Sequence, residues 1–150
     1  MSLKEQLTED MKQAMKAREA GKQRLSVIRM VRAAIKKVEI DSKKELNDDE
    51  VLDIVAKEVK MRKDSMEEFK KGNRQDLVEQ LEQEIAILLP YLPQQLTEEE
   101  IRALVSDAVA QTGAVSAKEM GKVMAVLMPK VKGRADGKLV NTIVREFLNQ

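Results

Sequence analysis

The chain has 150 residues, of which 43% are apolar, 35% charged and only 2% aromatic, the profile of a folded helical protein and not of a disordered one. Its net charge is +1, so no global field draws it to nucleic acid or membrane, and an electrostatic partner has to be met by a local patch. It contains neither cysteine nor histidine, which excludes disulfides, the usual zinc sites, thiol nucleophiles and Ser-His-Asp or Cys-His catalysis.

Helix starts recur as capping boxes, in which an N-cap side chain and a carboxylate three residues later satisfy orphan backbone donors. Ser2/Glu5, Asn47/Glu50, Thr97/Glu100 and Ser116/Glu119 all have the spacing. The first helix carries Leu3, Leu7, Met11 and Met15 on one face and should stop near Gly21, a candidate left-handed cap. A second, from about Lys22 to Ile40, places Val27, Ile28, Val31, Ile35 and Val38 on one arc. The third follows Asn47, repeats Leu52, Val59 and Met66, and runs to Gly72; the fourth carries Leu77, Leu81, Ile85 and Leu88 to Pro90.

Pro90 and Pro93 then force an extended segment and mark a boundary. Beyond it come Glu98 to about Gln111, Ala117 to Met128 closed by Pro129, and Asp136 to Asn149 with an apolar stripe of Leu139, Val140, Ile143, Val144, Phe147 and Leu148. Nothing alternates with period two for long enough to suggest strands. The expected architecture is all-α in two helical bundles, a four-helix part over 1–91 and a three-helix bundle over 94–150. The chain starts without a basic-then-apolar leader, and its longest apolar run is too short to span a bilayer, so the expectation is a cytoplasmic protein with no membrane partner.

Two basic constellations stand out. Between Pro129 and Asn141, Lys130, Lys132, Arg134 and Lys138 face one acid, Asp136, on a loop that Gly133 and Gly137 free to adopt positive φ or to approach a partner. On the helix that follows, Lys138, Asn141 and Arg145 share a flank, where lysines would hold phosphate and the amide would read a base edge or a 2′-hydroxyl. The other reading of this stretch is a solvated turn, with Asn141 bridging the loop backbone. Separately, Gly21 to Val38 holds six basic residues and no acid. Of these, Lys22, Arg29, Arg32 and Lys36 fall on one side of the second helix, where they either meet a polyanion or pair with the acidic runs Asp48–Glu50 and Glu79–Glu84.

Catalytic signals are poor. Glu98–Glu100 and Asp48–Glu50 are explained by capping and the helix dipole. The Gly133–Gly137 loop lacks the Walker-A spacing, and the scarcity of aromatics argues against base-stacking readers of single strands. No cofactor or metal is expected.

The loop, together with Gly121-Lys-Val-Met124, Val140-Asn141 and Val144, resembles the C-terminal signature of the GatB/YqeY family. That family comprises free-standing YqeY proteins and the GatB tail of tRNA-dependent amidotransferases. The likeness extends through Arg24–Ile35 and Leu89–Leu96 to nearly the whole chain. Ala125 to Val131 lengthen the stretch that is shorter in the amidotransferase tail, which favours the free-standing type. The resemblance implies an accessory tRNA-binding module, with an aminoacyl-tRNA synthetase or an amidotransferase as protein partner. It carries a family-level label of carbon–nitrogen ligase with glutamine as amido donor, for which this chain holds no active site of its own. A protein-interaction adaptor that never touches RNA is the alternative.

Overall fold

The computed structural model describes residues 1–149, and among them the protein is all-α, with no strand. Seven α-helices follow in order: α1 (Leu3–Lys16), α2 (Lys22–Ser42), α3 (Asp48–Lys71), α4 (Gln75–Leu88), α5 (Glu98–Thr112), α6 (Met120–Val131) and α7 (Gly137–Leu148). Short 3₁₀ turns occupy Arg18–Gly21, Leu89–Tyr91 and Ala117–Glu119. The chain divides into two compact units, the first ending at Leu92 and the second starting at Pro93.

Three capping boxes form as their spacing predicts: Ser2/Glu5, Asn47/Glu50 and Thr97/Glu100 each make the reciprocal pair of hydrogen bonds. Ser116/Glu119 does not. There the backbone closes first, Glu119 N donating to Ser116 O at 3.0 Å, and the resulting 3₁₀ turn delays the start of α6 to Met120.

The first unit buries Leu7 of α1, the α2 arc Val27, Ile28, Val31 and Ile35, and Val51, Val55 and Val59 of α3 in one cluster with Ile85, Leu88 and Tyr91. Gly21 is not a left-handed cap. The positive φ, 53°, falls at Arg18, and Gly21 has φ −99°. Its glycine identity answers a different demand, because a Cβ there would lie 2.2 Å from Ala14 O. The close approach buries Ala14 and leaves Met15 51% exposed, so the inner face of α1 ends one residue earlier than its methionines suggest.

The inner face of α3 also includes two charged residues, Glu58 and Arg62. Arg62 is buried and donates from Nη1 to Glu58 Oε2 at 2.8 Å and from Nε to Glu84 Oε1 at 3.0 Å, tying α3 to α4. Tyr91 donates its phenol to Asp10, which Arg24 also faces at 3.4 Å. Burial and then that carboxylate push the phenol above its ordinary value.

In the second unit, Ile101, Val105 and Ala108 of α5, Val123, Leu127 and Val131 of α6, and Val140, Ile143, Val144 and Leu148 of α7 form a separate core. Leu139, expected in the apolar stripe, is 38% exposed. α6 passes through Pro129 and ends at Val131. The donor lost at Pro129 would have served the carbonyl of Ala125; both residues lie on the exposed side, where a carbonyl is open to solvent. Gly113 caps α5 with φ 69°.

Candidate nucleic-acid interface

The α6–α7 connection is a fixed turn. Ala135 N and Arg134 N both donate to Val131 O, at 3.1 and 2.9 Å, which caps the end of α6. Gly133 has φ 71°, a conformation that favours glycine, whereas Gly137 is the first residue of α7 and needs no such freedom. The segment before α5 clamps the turn from outside: Leu96 N donates to Arg134 O at 2.8 Å, and Gln95 Nε2 donates to Gly133 O at 2.9 Å.

Within this frame the six sequence-derived residues fall on one connection and the helix it feeds. Lys130 is exposed in the last turn of α6, and Lys132 is its exposed C-cap. Arg134 is half-buried, its Nε donating to Gln94 O at 3.1 Å, so part of its guanidinium holds the turn while the outer edge of the fork remains. Asp136, the one acid of the loop, is the N-cap of α7, accepting from Lys138 N at 2.9 Å. Lys138 and Arg145 are exposed and Asn141 half-buried at i, i+7 and i+3 along α7, on one flank of its buried stripe. Gln94, Gln95 and Leu96, which hold the loop, are not among the sequence candidates. Their signals in the sequence are position, between Pro93 and the Thr97 cap, and membership of the Leu89–Leu96 stretch that carries the family resemblance.

The second basic face, Lys22, Arg29, Arg32 and Lys36, lies on α2; Arg32 is half-buried and the other three exposed. Three members of the acidic runs offered as its internal partners are committed elsewhere. Glu84 pairs with Arg62, Glu50 with Lys44 at 2.8 Å, and Asp48 accepts from Leu3 N at 3.0 Å. Among the described residues no ion pair involves any of the four cations.

A small helical module with a clamped cationic turn is what this geometry defines. The pattern of the family described as Yqey-like protein matches residues 4–148, and the chain belongs to that family. It is 42% identical over 108 residues to "Altered inheritance of mitochondria protein 41, mitochondrial" of Lachancea thermotolerans, covering 70% of this chain and 57% of that protein. The protein of the same name from Pyrenophora tritici-repentis is 32% identical over 147 residues, 95% of this chain and 78% of that one. A glutamyl-tRNA(Gln) amidotransferase subunit of Thermococcus gammatolerans is 41% identical over 59 residues, 37% of this chain and 9% of that protein. The likeness to an amidotransferase subunit therefore concerns a small part of a much larger protein. The chain spans little more than half the length of the Lachancea relative.

These names correct one expectation. The expectation of a cytoplasmic location is overturned by the fungal relatives, which are named mitochondrial. No helix among the described residues is long and apolar enough to cross a membrane, and that fact does not choose between aqueous compartments.

Proposed function

We propose that the second unit is a tRNA-binding module, an accessory to a tRNA-dependent amidotransferase or an aminoacyl-tRNA synthetase with no active site of its own. The observation that carries this reading is the clamped turn. Lys130, Lys132, Arg134 and Lys138 sit on a connection whose backbone is fixed by Gln95 and Leu96, and whose one carboxylate is turned into the α7 cap. A fixed turn gives up less conformational freedom when it meets a phosphate backbone than a mobile lysine loop does. Asn141, on the same flank, supplies directional hydrogen bonds without charge and would discriminate among RNAs. The match to an amidotransferase subunit named for glutamyl-tRNA(Gln) supports the choice of tRNA as the polyanion.

The test is the salt dependence of tRNA binding by the full chain. Four phosphate contacts on duplex regions weaken binding about 100-fold between 50 and 200 mM salt. Lys130→Gln, Lys132→Gln, Arg134→Gln and Lys138→Gln together should lower both affinity and slope, while Asn141→Ala should weaken discrimination among RNAs more than overall affinity, with little change in slope. Retention of affinity and slope in the fourfold variant would remove the site from this loop. Failure of the wild type to bind any tRNA would leave the adaptor reading in its place.

A further inference from the structure

The basic face of α2 has a second wall. Arg29, Arg32 and Lys36, with Ala33, Ile35 and Glu39, form one side of a cleft of about 530 Å³ whose other side is Lys4, Leu7 and Thr8 of α1. This volume is in the range of small-molecule sites. Four cations against one carboxylate leave a surplus of positive charge, and the carboxylate is already engaged. Glu39 Oε2 accepts from Lys4 Nζ at 2.7 Å and from Leu46 N at 2.9 Å.

Arg32 has an unusual partner. Its Nη1 lies 2.8 Å from the sulfur of Met11, a weak acceptor that leaves most of the five guanidinium donors for something stronger. Gathering Arg29, Arg32, Lys36 and Lys4 around one cleft costs mutual repulsion, which a bound anion removes. Ala33, between Arg29 and Lys36 on the same side of α2, keeps the cleft open where a longer side chain would fill it.

We propose that this α1–α2 cleft binds the diphosphate group of a small metabolite. The three α2 cations extend over seven residues, about 10 Å along the helix, which suits two linked phosphates better than one. Guanidinium forks match phosphate oxygens in pairs. Ala33 is the exposed aliphatic group of the cleft, with Leu7 and Ile35 buried behind it, and no residue lining it has an aromatic ring on which a base of single-stranded RNA would stack. The site lies in the first unit and does not depend on the tRNA reading of the second.

The experiment uses the full chain, isotopically labelled, titrated with inorganic pyrophosphate and, for comparison, inorganic phosphate, with backbone amide shifts as the readout. Pyrophosphate should shift the amides around Lys4–Thr8 and Arg29–Lys36 saturably, binding at least tenfold more tightly than phosphate. Arg29→Gln with Arg32→Gln should weaken it tenfold or more. Ala33→Leu, which fills the cleft from α2 and alters no charge, should do the same with the thermal midpoint unchanged. That variant keeps the proposal falsifiable should the loss of the Arg32–Met11 contact disturb folding. Shifts that never saturate, or Ala33→Leu binding as tightly as wild type, would overturn the site. So would the same amides responding to tRNA and not to pyrophosphate, which would make this face an RNA surface.

Discussion

Removing Arg62 should be among the most damaging single changes in the first unit. The side chain is 5% exposed, and the two carboxylates it holds, Glu58 and Glu84, are 11% and 13% exposed. Its Nη1 also donates to Glu58 O at 3.1 Å, and Nη2 lies 3.7 Å from the sulfur of Met30 on α2. Arg62→Ala leaves two nearly buried carboxylates without a counter-ion and opens a space where the aliphatic stem packed. Breaking a buried pair by deleting one partner costs about 3–5 kcal/mol. For a unit of this size each kcal/mol moves the thermal midpoint by about 5 °C, so the drop should be about 15–25 °C. The chain has one tyrosine and no tryptophan, and Tyr91 lies in the core of the first unit, so tyrosine fluorescence during heating reports on that unit. Combining Arg62→Met with Glu58→Leu and Glu84→Leu removes the charges together and should recover most of the loss, because well-packed apolar replacements of buried ion clusters are often neutral or better. A drop below about 5 °C for Arg62→Ala, or a triple variant no more stable than the single one, would refute the reasoning.

Gly21→Ala places a Cβ 2.2 Å from Ala14 O and 2.9 Å from Ala14 Cα, all backbone, so the α1–α2 approach must shift. The expected loss is about 1–3 kcal/mol in chemical denaturation, and a gain in stability would contradict the close-approach account. The Glu39 carboxylate is held below its ordinary 4.5, chiefly by the hydrogen bond from Lys4 and then by Leu46 N–H. A depressed acid contributes stability that is present above its unfolded value and lost as pH falls through the folded one. Wild type should therefore destabilise below pH 4.5 more steeply than Glu39→Gln; matching acid limbs in the two melting series would discount that latch.

Helix identity was legible because each helix announces itself locally, by a box such as Thr97/Glu100 and by apolar spacing such as Val27/Ile28/Val31/Ile35. Contacts made at a distance were not. Gly21 reads as a stop signal in sequence, but its cause is the backbone of Ala14 seven residues earlier. Glu58 and Arg62 read as surface charges on α3, and only the return of α4 brings Glu84 to complete their burial. The Ser116/Glu119 pair shows the converse: the letters of a box are present, and a backbone turn takes the hydrogen bond first. At the candidate interface, the cations and Asp136 were visible as a run of residues. Their clamp was not, because Gln94, Gln95 and Leu96 come from about forty residues upstream and carry no charge pattern. The cleft behind Arg29, Arg32 and Lys36 required α1, whose Lys4 and Thr8 no periodicity in α2 could name.

The near balance of 27 basic and 26 acidic residues conceals how differently the two signs are used. Glu5, Glu50, Glu100 and Asp136 are bound to backbone N–H groups at helix starts, and Asp48 serves Leu3 N in the same way. Glu58 and Glu84 are consumed by Arg62, Glu98 and Glu146 by Arg102, and Glu39 by Lys4 and Leu46. These acids are structural: each satisfies a donor or a cation, and its charge is compensated where it stands. Among the described residues Lys22, Arg29, Arg32 and Lys36 of α2 form no ion pair, and the one acid of the α6–α7 loop, Asp136, is the cap of α7. The acids named above are thus compensated where they stand while the α2 face keeps its surplus of positive charge, and an anionic partner meets that local field, which the net charge of +1 does not describe.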